Sequence, residues 1–145
     1  MKSCQIFKTK KGYKIATMYR LESWSYIESK PIYIFPIEIG VEELSKAIFE
    51  SLESSREISE SEENDFWLGN QLLKELKENS YNSLYKNSYS CIVSIKNSDF
   101  IIEPQKYMGK DEGLSVDENR VLKLDANLDK KYLTENVIDV LSSND

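Results

Sequence analysis

The chain contains no histidine in 145 residues. That absence excludes a Ser-His-Asp triad, a Cys-His dyad, an imidazole general base and any zinc site built on histidine. Only two cysteines are present, Cys4 and Cys91, which is too few for a structural zinc cluster. They lie far apart in strand-like stretches. The N-terminus, Met1-Lys2-Ser3-Cys4-Gln5-Ile6-Phe7-Lys8, alternates in polarity where a signal peptide would be continuously apolar. Two reduced, buried thiols in a cytoplasmic protein are therefore expected. The five glycines are scattered at positions 12, 40, 69, 109 and 113, so neither a dinucleotide fingerprint nor a phosphate-binding P-loop can be drawn. No apolar run approaches the roughly 20 residues that span a bilayer, so no membrane partner is expected. Carboxylates are abundant, but Asp111/Glu112 and Asp117/Glu118 are adjacent pairs, which point to opposite faces of a strand. Glu60, Glu62, Glu63 and Asp65 lack the glycine-centred spacing of a calcium loop. No catalytic residue, metal or cofactor is expected.

What the chain does have is charge in one place. Glu50, Glu53, Glu57, Glu60, Glu62, Glu63 and Asp65 stand against Arg56 alone, a local sum of -6 that equals the formal net charge of the whole protein. The remainder is close to neutral, so the acidity is a local object. It runs directly into Phe66-Trp67. A solvated linker would explain such a run without any partner. Aromatics beside it instead favour a surface that meets something basic. The acidic balance argues against nucleic acid as a direct partner. Lys8, Lys10, Lys11 and Lys14 form a short basic cluster that a solvated strand face or turn accounts for. Trp24 and Trp67 each read either as core or as interface anchor. On a helix, only one of Phe66 and Trp67 can point fully inward.

With 40% hydrophobic and 30% charged residues, one globular domain spanning residues 1–145 is expected. Residues 4–9 and 12–21 read as strands around Lys10-Lys11-Gly12, the second through alternation of Tyr13, Ile15, Thr17 and Tyr19 with polar or small residues. Residues 22–31 read as a loop or irregular edge, and 32–37 as a strand capped or kinked by Pro36. Val41, Leu44, Ile48 and Leu52 make one helical stripe, ending near Ser54-Ser55. The acidic segment follows as an exposed loop or frayed extension. A second helix is predicted from Asn64 or Asp65, burying Phe66, Leu68, Leu72, Leu73 and Leu76 and ending at Lys77-Glu78-Asn79-Ser80. Tyr89–Ile95 and Phe100–Glu103 flank a hairpin turn at Lys96-Asn97-Ser98-Asp99. Residues 107–118 read as a polar loop, 120–124 as a strand, and 129–142 as a helix with Leu133, Val137, Ile138 and Leu141 inward and Ser142-Ser143 at its end. Phe35, Leu44, Ile48, Leu52 and Ser54 align with Leu124, Leu133, Val137, Leu141 and Ser143, so an internal strand–helix duplication is a possible reading. The expected fold is α+β, a mainly antiparallel central sheet packed with about three helices.

Several segments then resemble a known family. Ile34-Phe35-Pro36, Glu42-Glu43-Leu44 and Leu52-Glu53-Ser54-Ser55-Arg56 match its strand–proline, acidic helix start and Leu-rich helix end. Asn79-Ser80-Tyr81-Asn82-Ser83-Leu84-Tyr85-Lys86-Asn87, Cys91, Phe100-Ile101-Ile102-Glu103-Pro104 and the unit from Val121 to Leu141 look like its later half. Together they resemble the immunity proteins of bacterial contact-dependent growth inhibition systems. Many members carry a glycine after the helix leucine, where this chain has Ser45. The resemblance implies a cytoplasmic protein that binds and neutralises a cognate toxin domain of the CdiA C-terminal type, without catalysis. A monomer that forms a 1:1 complex is the expectation, with a homodimer as the alternative. Nucleases, some of them RNases, are among the family's toxins. Binding residues vary with the toxin, so none is carried over.

Physical reasoning supplies candidates instead. A nuclease cleft that attracts polyanions is basic, and carboxylates can occupy it in place of phosphates. Glu53, Glu57, Glu60, Glu62, Glu63 and Asp65 are the expected attracting groups, with Phe66 or Trp67 as anchor. The loop carrying Tyr107, Asp111, Glu112, Asp117 and Glu118 is the second candidate surface. An acidic adaptor for a basic protein and a metal-dependent carboxylate enzyme are the other classes left open.

Overall fold

A computed structural model describes residues 1–142. The predicted helix stop at Ser143, and its pairing with Ser54, lie outside the described residues. The strands are β1 (Lys2–Lys8), β2 (Gly12–Leu21), β3 (Tyr26–Pro36), β4 (Glu57–Ile58), β5 (Tyr89–Lys96), β6 (Asp99–Tyr107), β7 (Leu114–Val116) and β8 (Leu122–Asp125). The helices are α1 (Val41–Ser54), α2 (Glu63–Phe66), α3 (Gln71–Glu75), α4 (Tyr81–Lys86) and α5 (Lys130–Ser142), with short 3-10 turns at Glu60–Glu62 and Glu118–Arg120. All eight strands join one sheet, in the order β3-β2-β1-β5-β6-β7, with β8 also beside β6 and β4 beside β2. Every pairing is antiparallel except that of β4 with β2. The fold is α+β, as expected.

Alternation along each strand decides what lies on either side of the sheet. Cys4 and Ile6 of β1, Tyr13 and Ile15 of β2, Cys91 and Val93 of β5, and Phe100 and Ile102 of β6 share one core with α1 and α5. The helices contribute Leu44, Ile48 and Leu52, and Leu133, Val137 and Leu141, all at most 1% exposed. These are the stripes that helical spacing predicts, and the two helices also pack on each other. Cys4 and Cys91 are free and buried in neighbouring strands, Cys91 opposite Ile6. Burial pushes the Cys4 thiol up to about 12 and Cys91 well above its ordinary value, so neither is poised as a thiolate.

The opposite face is smaller and more polar. Phe7 packs there with Leu72 and Leu76 at α3 and Leu84 of α4, with Leu68, Tyr85 and Leu114 around them. The Ser3 and Ser94 hydroxyls share a hydrogen bond of 2.8 Å, and Gln5 Nε2 donates to Gln105 Oε1 at 2.7 Å. Lys14 is buried, ion-paired with Glu78, and donates to the Leu76 carbonyl at 2.6 Å, which ties β2 to the end of α3.

Several predicted boundaries move. The loop expected over 22–31 is shorter, because β3 starts at Tyr26 and continues through Pro31. An edge strand tolerates proline, and the pairing shifts register opposite it, between Ala16 and Thr17. The second predicted helix is broken in two. Gly69 adopts φ +55° between α2 and α3, with the Trp67 indole nitrogen 3.3 Å from where a Cβ would lie. A further helix, α4, forms after Ser80, whose hydroxyl accepts from Ser83 N at 3.1 Å. The predicted polar loop at 107–118 contains β7.

The Glu28 carboxyl, on β3, makes no side-chain hydrogen bond or ion pair among the described residues, and burial pushes it up from 4.5 to about 7. Burial raises the phenols of Tyr81 and Tyr85, and the neighbouring Glu28 charge adds to the rise. A carboxyl with a raised folded pKa binds its proton more tightly in the folded state. The folded state is therefore favoured most below the unfolded value and loses stability as pH rises through the folded one. Glu28→Gln is expected to raise stability at pH 8 by roughly 2–3 kcal/mol and to flatten the slope between about pH 5 and 8. Urea midpoints of both proteins at the two ends of that range check this.

Candidate functional site

The acidic segment is fixed to the sheet at its first residue. The Ser55 hydroxyl accepts from Ser3 N at 2.8 Å and donates to the Met18 carbonyl, and Lys2 Nζ donates to the carbonyls of Glu53 (3.0 Å) and Ser55 (2.9 Å). Arg20 N then donates to the Arg56 carbonyl at 3.1 Å, which starts β4. Ile58, a lone apolar residue among acids, is 1% exposed and packs with Tyr19, Leu21 and Ile27. The segment expected to be an exposed loop or a frayed helical extension thus follows the end of β2 as a short strand. Ser59 and Glu62 form a reciprocal cap at the next turn. The segment closes at Phe66, whose ring lies 4.5 Å from that of Tyr19 and whose carbonyl accepts from Ser29 Oγ at 2.6 Å.

The acids divide into two groups. Glu57 is paired with Arg20 at 2.6 Å, and Glu62 with Arg56 at 2.7 Å. Arg56 and the Ser59 amide hold the Glu62 carboxyl down at about 2. Glu50 reaches Lys46 and the Tyr33 hydroxyl. Glu53, Glu60, Glu63 and Asp65 make no ion pair among the described residues. Of the aromatic pair, Phe66 turns inward and is half-buried, while Trp67 stands out at 62% exposed.

The structure adds a residue that was open between core and anchor in the sequence. Trp24, at the β2–β3 turn, is 73% exposed and its ring lies 4.4 Å from the Arg20 guanidinium that Glu57 holds. Trp24 and the acidic segment therefore belong to one surface. Its only signal in sequence is a tryptophan between serines, which alone does not choose between core and surface.

The second candidate surface is divided. Tyr107 donates its hydroxyl to Asn82, and Asp117 is buried, 3.7 Å from Lys106 and 4.0 Å from Arg120, so both pin the fold. Asp111, Glu112 and Glu118 are exposed. They lie beside β7, at the sheet edge opposite β3.

Cations collect at the other end of β2. Lys10, Lys11 and Lys77 line a groove of about 580 Å³ walled by Ile34, Phe35 and Pro36, and Lys8, Lys10 and Lys86 line a neighbouring one of about 500 Å³. Among the described residues no group of three or more Asp, Glu or Cys is placed to hold a metal ion. Nor, among the described residues, is any helix long and apolar enough to cross a membrane.

The sequence profile of the CDI immunity protein family, CdiI, matches residues 2–143. The chain belongs to that family. No curated protein shows a significant match to it. Among solved structures, the CdiI chain described here is similar to a protein of unknown function from Neisseria meningitidis, with 18% identity and a TM-score of 0.77 over 97% of this chain and 93% of that one. It is also similar to a chain of the CdiA-CT/CdiI toxin and immunity complex from Yersinia pseudotuberculosis, with 13% identity and a TM-score of 0.72 over 97% and 95%. At these identities the likeness concerns the fold. The binding face has to be argued from this chain's own residues.

Proposed function

We propose that this CdiI protein neutralises a cognate CdiA C-terminal toxin domain by laying the face between Trp24 and Trp67 over a basic active site, that of a nuclease. It acts in the cytoplasm, as a monomer forming a 1:1 complex, and performs no reaction. The observation that carries this reading is a set of carboxylates with no internal task. Glu53, Glu60, Glu63 and Asp65 lack ion pairs among the described residues and are flanked by two exposed tryptophans. Unpaired charge on a surface costs stability through self-repulsion and raises the encounter rate with an opposite charge. The Yersinia complex shows that this fold class occurs alongside a toxin, and the family match supports the same partner class here.

The test replaces Glu60, Glu63 and Asp65 together by serine and leaves Glu62 in place, because Glu62 holds the Ser59 cap. The probe is the cognate CdiA C-terminal toxin domain. Its association rate at low salt is expected to fall about tenfold or more, with a shallower dependence on ionic strength and a melting midpoint equal to or above the parent's. An unchanged rate and salt slope would remove this face from the interface and move the proposal to Asp111, Glu112 and Glu118.

A further inference from the structure

Trp24 sits where a bulky side chain fits poorly. The turn joining β2 to β3 is closed by Leu21 N donating to the Ser25 carbonyl (2.8 Å) and Trp24 N donating to the Leu21 carbonyl (2.9 Å). It holds Trp24 at φ +68°, in the left-handed region that brings Cβ against the following carbonyl and that glycine, asparagine or aspartate enters far more readily. The fold receives little packing in return, since the ring is 73% exposed. The ring is nonetheless oriented. It faces the Arg20 guanidinium at 4.4 Å, and Glu57 holds that guanidinium at 2.6 Å. Backbone strain kept at an exposed, pre-oriented aromatic is the pattern of a surface shaped for a partner.

We propose that Trp24 is an anchor of the toxin contact. Its preset indole, backed by the Arg20–Glu57 pair, enters an apolar-walled pocket of the toxin domain whose rim carries Lys or Arg side chains. This rests on the reading of the acidic face as the contact surface. The ring supplies the desolvated area that holds the complex, while the unpaired carboxylates Glu60, Glu63 and Asp65 speed its formation. The two roles fall on different rate constants, dissociation for the tryptophan and association for the acids.

Trp24→Gly and Trp24→Asn test this, because both suit a left-handed backbone and remove the indole. Binding to the cognate toxin domain is measured beside thermal unfolding. Affinity is expected to fall about 30-fold or more, chiefly through faster dissociation. The unfolding midpoint of Trp24→Gly is expected to equal or exceed that of the parent, by up to about 4 °C. Trp24→Phe, which keeps a ring, recovers part of the affinity. Unchanged affinity in Trp24→Gly, or a midpoint well below the parent's, overturns the proposal. Failure of the parent protein itself to bind overturns the reading of the face and this inference with it, so the two failures are told apart.

Discussion

Ser55→Ala is expected to lower the unfolding free energy by about 2–3 kcal/mol, read from urea titration. The hydroxyl is buried and satisfies two main-chain groups on two strands, the amide of Ser3 and the carbonyl of Met18. Alanine fills nearly the same space, so packing changes little. What changes is that a buried donor and a buried acceptor lose their partner, and each carries a desolvation penalty of roughly 1–3 kcal/mol. Ser55 is also the residue from which the acidic segment departs. Loosening it should let the segment fray while the sheet stays folded, so faster amide exchange at Ile58 is expected with little change at Ile6. A destabilisation below about 0.5 kcal/mol would place Ser55 among ordinary surface substitutions and contradict the geometry.

Phe100→Ala should cost more, about 3–5 kcal/mol. Phe100 is fully buried on β6, and its ring stacks on that of Phe49, with centroids 5.8 Å apart. The cavity would open between α1 and the sheet, against side chains already held in the same core. For a chain of this size the melting midpoint should drop by about 10 °C or more. Protection against the toxin is expected to follow the folded fraction, since Phe100 is fully buried and can touch no partner. A small effect would mean that the core can collapse around the gap.

How much of this was legible in the sequence depended on the range of the interactions. Leu44, Ile48 and Leu52, and Leu133, Val137 and Leu141, declare two helix faces through spacing alone. The β5–β6 hairpin is equally local, with Asn97 at φ +58° in its turn. The break at Gly69 was hidden because Leu68, Leu72 and Leu76 keep helical spacing across it. Helix α4 has one fully buried residue, Leu84, and is held by the Ser80 cap and by packing against Phe7, which no local pattern announces. In the candidate site, the acids and Trp67 were visible as composition. Their sorting was not, because Glu57 is spent on Arg20, which lies 37 residues earlier. The same distant residue orients Trp24, whose backbone angle no sequence pattern reveals.

Strand β2 separates the lysine-lined grooves at its first residue from the unpaired carboxylates beyond its last. Ten residues of strand span about 30 Å, several times the Debye length of roughly 8 Å at physiological salt. The two ends are thus screened from one another and act on an approaching partner separately. A positively charged cleft pulls on one end and pushes on the other, which amounts to a torque as well as an attraction. Under the proposed contact with a basic cleft, the protein would be turned toward one docking pose before any side chain touches, and encounters made by the lysine end would be repelled instead of having to be searched and abandoned.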